Sequence, residues 1–148
     1  MSSEGFFHRL LVPVDGSESS FKAARYAVRL ACREDCEIKA LHVVDEETAN
    51  DMADYTERPV SAILNRMKRS GESYLEDVGK IGKEAGVDVA GQIVVGIPYR
   101  EVLDFAAKKD IDLIVMGTVG RKGPRRVLIG SVTERIIEHS SVPVLVVK

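Results

Sequence analysis

The chain has 148 residues, 45% of them apolar and 30% charged, a composition that lets one domain bury a core without disulfide or metal staples. A formal charge of −2 and a pI near 5.9 give no field to draw it onto nucleic acid or anionic lipid. No apolar run approaches the roughly 20 residues of a membrane helix. An acidic residue precedes the first apolar run and no small-residue cleavage site follows it, so no secretory signal is expected and the cytoplasm is the expected location.

Residues 9–14 (RLLVPV) form a continuous apolar run, the pattern of a strand buried on both faces of a parallel sheet. After Asp15-Gly16-Ser17, Phe21, Ala24, Ala27, Val28 and Ala31 recur at three and four residues and predict a helix. Residues 38–44 (IKALHVV) read as a second strand, and 45–58 (DEETANDMADYTER), acidic and without apolar period, as a long loop. From Val60 an apolar spacing of helical period runs to about Ala85, with Gly79 and Gly82 weakening its last turns. Strands are then expected at 87–95, 113–116 and 142–147, with helices at 99–108 and 132–138.

Strict alternation of strand and helix predicts a single α/β domain over residues 1–148: a doubly wound, five-stranded parallel sheet of Rossmann-like form with helices on both faces. In such sheets ligands bind beyond the carboxyl ends of the strands where the winding reverses, which directs attention to the loops after the first and fourth strands.

The loop after the fourth strand holds Gly117, Gly120, Gly130 and Ser131, with Arg121, Lys122, Arg125 and Arg126 between them. Glycines let backbone amides approach an anion without an intervening side chain. Gly130-Ser131 opens the last helix, where free amides favour negative charge and the Ser131 and Thr133 hydroxyls can donate. Each feature also has a plain structural meaning, since Ser131 to Glu134 spells a capping box and glycines often end strands. Neither a G-x-x-x-x-G-K-[ST] loop nor a G-x-G-x-x-G turn is present, so phosphate would be held mainly by backbone amides. In the first loop Asp15 can accept from a ribose hydroxyl or face a phosphate-bound metal, and it can equally cap the first helix with Glu18, roles that are compatible. Cys32 and Cys36 lack companions at metal-ligand spacing and read as structural thiols. His8, His42 and His139 are scattered, with no motif to build a hydrolytic triad.

The spacing Gly117-x-x-Gly120-x9-Gly130-Ser131 resembles the G-x-x-G-x9-G-[ST] pattern of the universal stress protein family, in its ATP-binding branch. The resemblance runs from Pro13-Val14-Asp15 through residues 41–45 (LHVVD) to the closing 141–147 (SVPVLVV). It implies an adenine and ribose end at Pro13, Val14, Asp15, Val43, Met116 and Gly117. Phosphates would lie at Gly120, Arg121, Gly130, Ser131, Val132 and Thr133. It further implies ATP carried with magnesium or manganese, slow or absent hydrolysis, and a nucleotide-dependent regulatory role in stress response. Val119, where many relatives are polar, and Pro124 depart from the pattern. A homodimer through Val142 to Val147 is also implied, and that apolar run is expected at a sheet edge, which invites strand pairing. Two rivals stand beside this reading: a dimeric interaction module without nucleotide, and an adenylating enzyme of the adenine-nucleotide hydrolase type. The latter would need an S-G-G-x-D-S loop where this chain has Asp15-Gly16-Ser17-Glu18-Ser19. Choosing ATP over AMP or a cyclic nucleotide rests on the resemblance alone, because a cradle of amides recognises phosphate more than base.

Overall fold

Five parallel strands form one sheet in the computed structural model, which describes residues 5–119 and 129–148. In chain order the elements are β1 (Arg9–Pro13), α1 (Glu18–Glu34), β2 (Glu37–Asp45), α2 (Glu46–Thr56), α3 (Val60–Glu84) and β3 (Val89–Gly96). They continue with α4 (Pro98–Lys108), β4 (Leu113–Gly117), α5 (Ser131–His139) and β5 (Val144–Val147). The strand order is β3-β2-β1-β4-β5. The chain winds outward from β1 to β3, then returns to the far side of β1 for β4 and β5. The winding therefore reverses between β1 and β4, as a doubly wound sheet requires.

Alternation along each strand divides the core into two layers. Leu10, Val12, Ile38, Ala40 and Val115 pack toward the alanine-rich face of α1 and toward Val78 of α3. Leu11, Leu41, Ile114 and Met116 pack on the other face against Val102 and Phe105 of α4 and Ile136 of α5. Right-handed crossovers put helices of opposite winding direction on opposite faces, so this division follows from the strand order.

Two local expectations are corrected. Residues 45–58 are not a loop: 46–56 form α2. Asp45 is its N-cap, its carboxylate accepting from the Thr48 amide at 3.3 Å, and Glu46 and Glu47 lie in the first turn where the helix dipole favours them. Ala49 is the one buried residue of α2, which otherwise rests against α3 without an apolar stripe, and the absence of that stripe is what suggested a loop. The helix stops at Glu57, which takes φ 56°, just ahead of Pro59. In α1 the N-cap is Ser17 and not Asp15. The Ser17 hydroxyl accepts from Ser20 N at 3.1 Å, while Asp15 Oδ1 accepts from Ser17 N at 2.9 Å. The helix from Val60 keeps both Gly79 and Gly82, the latter because a Cβ there would lie 2.5 Å from the Val87 carbonyl oxygen. No helix among the described residues is long and apolar enough to cross a membrane.

Candidate functional site

The carboxyl ends of β1, β2 and β4 and the start of α5 meet at the point where the winding reverses. Pro13 closes β1, and Val14 follows it into the core with its amide donated to the Leu41 carbonyl at 2.9 Å. Half-buried Asp15 then turns the chain through Gly16, whose φ of +84° is strained for any residue with a side chain. The Tyr74 ring lies on Gly16, with ring carbons 2.7 Å from where a Cβ would sit.

On the other side of the reversal Met116 is a core residue and Gly117 the buried end of β4. A Cβ on Gly117 would lie 2.6 Å from the Ser19 carbonyl oxygen, so glycine here lets α1 and β4 approach. The Ser19 hydroxyl accepts from the amides of Thr118 at 2.9 Å and Val119 at 3.5 Å. Nothing in the sequence singles out Ser19; it is found only when α1 is laid against β4. The Gly130 amide donates to the Thr118 carbonyl at 2.6 Å, and the Thr133 hydroxyl donates to the Gly117 carbonyl at 3.0 Å. Both ends of the connection after β4 are thus tied to each other.

These bonds redistribute the expected phosphate donors. Thr133 is 3% exposed and its hydroxyl proton is committed to Gly117, so it braces the site from within. The Thr118 and Val119 amides are committed to Ser19. What opens outward is the first turn of α5, where Ser131 and Val132 are exposed and the N-cap is Gly130, with no side-chain cap bond. Ser131 therefore does not form the capping box that its sequence suggested. An uncapped helix start has backbone amides and a positive dipole end available to an anion. Gly120 and Arg121, the remaining expected phosphate residues, lie outside the described residues. Val43, on β2, is half-buried at the same end of the sheet and packs toward the α4 side.

The opposite end of the sheet does not suit a phosphate ligand. A recess of about 500 Å³ there is lined by His8, Arg9 and the four carboxylates of Asp35, Glu37, Asp110 and Asp112. Asp112 is spent on the His8 and Arg9 amides, at 2.8 and 3.1 Å. Cys36 donates its thiol to the Phe7 carbonyl, and burial with the nearby Glu34, Asp112 and Asp35 charges raises its pKa from 9.0 to about 11. It is an unreactive structural thiol at neutral pH.

Comparisons with known proteins agree with this layout. Universal stress protein MJ0531 of Methanocaldococcus jannaschii is 38% identical over 147 residues, covering 99% of this chain and 85% of that protein. The structure of universal stress protein UspA from Lactobacillus plantarum matches with a TM-score of 0.84 at 28% identity, over 96% of this chain and 98% of that one. A universal stress protein solved in complex with cAMP matches with a TM-score of 0.67 at 26% identity, over 95% and 96% of the two chains. The sequence profile of the universal stress protein family matches residues 6–148, and the chain belongs to that family.

Proposed function

We propose that the chain binds ATP at the winding reversal and acts as a nucleotide-dependent regulator in stress response, with slow or no hydrolysis. The observation that carries this reading is the start of α5, a glycine-capped helix without a side-chain cap, opening at the sheet's carboxyl edge beside the Asp15-Gly16 turn. Support also comes from the relative solved with cAMP, a nucleotide held by the same fold.

In this reading Pro13, Val14, Asp15, Val43, Met116 and Gly117 form the base and ribose end. Gly120, Arg121, Gly130, Ser131, Val132 and Thr133 form the phosphate end, with Thr133 as a brace. Among the described residues no three His, Cys, Asp or Glu side chains gather into a metal-holding group. Magnesium or manganese would arrive on the phosphates, with Asp15 the carboxylate that the first loop supplies. Ordering of residues 45–58 by ATP, a switch that a long loop there would offer, is not part of this reading, because residues 46–56 already form the capped helix α2. Dimerisation through β5 belongs to the same proposal. The strand lies at the sheet edge, and the bond from Ile114 N to Pro143 O (3.0 Å) turns the Val144 and Val146 amides outward.

The test is to purify the protein without added nucleotide, release any ligand with acid, identify it by chromatography, and repeat with Gly130→Val. ATP recovered from the parent and lost from the folded variant is the expected result. If no nucleotide is recovered and none binds on addition, the reading fails and a dimeric interaction module takes its place.

A further inference from the structure

The end of the β1–β2 ladder is irregular, and the irregularity is made by a side chain. Backbone groups of odd-numbered β2 residues face β1: the Glu37 amide donates to the His8 carbonyl at 2.9 Å, and the Leu41 carbonyl accepts from the Val14 amide at 2.9 Å. Two residues on, the Val43 amide and carbonyl face the same way. A regular parallel ladder would next bond the Val43 amide to the Val14 carbonyl. That carbonyl lies 2.7 Å from His42 Nδ1 instead. A carbonyl can only accept, so Nδ1 carries the proton.

The ring is built into this place from several directions. His42 is 8% exposed. Gly71 of α3 leaves the space it fills, because a Cβ there would come within 3.0 Å of the ring's Cγ and Nε2. Tyr74, one turn further along α3, meets the ring edge-on at 5.5 Å and also covers Gly16. The turn after β1 is thus held by α3 through two aromatic side chains.

We propose that His42 is a positioning residue: by taking the Val14 carbonyl it leaves the Val43 backbone, one donor beside one acceptor, facing the crevice as the edge that reads a nucleobase. The pairing it fits is a base with an acceptor next to a donor, as in the N1 and amino edge of adenine. This rests on the nucleotide reading above. What it adds to that reading is the role of His42, which keeps the backbone of Val43 at the base end out of the strand ladder.

Two measurements separate the claims. The first is hydrogen exchange of the Val43 amide by NMR, without nucleotide. The wild-type amide is expected to exchange fast, unlike that of Val44, which faces β3. In His42→Phe, which keeps an aromatic ring but has no donor, the Val43 amide is expected to close onto the Val14 carbonyl and become protected. The second is calorimetric titration with ATP and with tripolyphosphate. His42→Phe is expected to weaken ATP about tenfold or more, the scale of one or two hydrogen bonds, and to leave tripolyphosphate unchanged. His42→Asn keeps an N–H near the Nδ1 position and is expected to restore ATP binding. A protected wild-type Val43 amide overturns the inference, whether or not His42→Phe folds. So does a folded His42→Phe that binds ATP as tightly as the parent, or an Asn variant as weak as the Phe variant. Wild-type protein that binds neither ligand defeats the nucleotide reading, while the exchange data still decide the role of His42.

Discussion

Gly117 and Ser19 show how closely single residues set this site. The α1 backbone passes Gly117 so tightly that a methyl group would meet the Ser19 carbonyl oxygen, which cannot swing aside as a side chain can. Gly117→Ala is therefore expected to cost about 1–3 kcal/mol, the usual range for overpacking, read as a lower urea midpoint at unchanged slope. The two cysteines separate by reactivity. Cys32 is exposed, whereas Cys36 has its pKa raised to about 11. Near pH 8, iodoacetamide is expected to label Cys32 first and to leave Cys36 largely unmodified, as peptide mass mapping will show; equal labelling would contradict the assignment. The same shift has a signed consequence for stability. Below pH 9 both folded and unfolded chains keep the Cys36 proton; as pH rises from about 9 to about 11 the unfolded chain loses it first, so stability falls. Cys36→Ala is expected to flatten that part of the profile.

At the scale of elements, α2 is a helix that buries one side chain and rests on α3, so its N-cap carries an unusual share of its stability. Asp45→Ala removes the carboxylate that accepts from Thr48, and is expected to cost about 1 kcal/mol and to raise amide exchange across residues 46–56. The strands and the helices α1, α3, α4 and α5 were legible in the sequence because continuous apolar runs and 3.6-residue spacing are what a two-faced core imposes. α2 was not, because Ala49 gives no periodic signal and its determinants are a cap and an acidic first turn. The capping alternatives at Asp15 and Ser131 could not be decided from sequence for a related reason: several adjacent Ser and Asp residues could each cap, and only the backbone path selects Ser17 and Gly130. Gly117, Gly130 and the switch-point loops stand out in the sequence because glycine spacing is visible in one dimension. Ser19, His42 and Tyr74 were not, since their roles depend on packing between elements and on the phase of β2 against β1.

The whole molecule is organised by one reversal of winding. The strand order sends α1 and α3 to one face and α4 and α5 to the other, and the crevice between β1 and β4 is the place the helices leave open. The outer edge at β5 is the second consequence of that order. Val146→Pro removes an outward-facing amide without touching a bond to β4, so it is expected to convert a dimer to a folded monomer in sedimentation. A wild-type monomer would remove the β5 interface from the account. The central claim is that a nucleotide occupies the crevice, and its most direct test is calorimetric titration of nucleotide-free protein with ATP and magnesium. The account predicts saturable heat at one ATP per chain, abolished in Gly130→Val; absence of heat from the folded wild-type protein would contradict it.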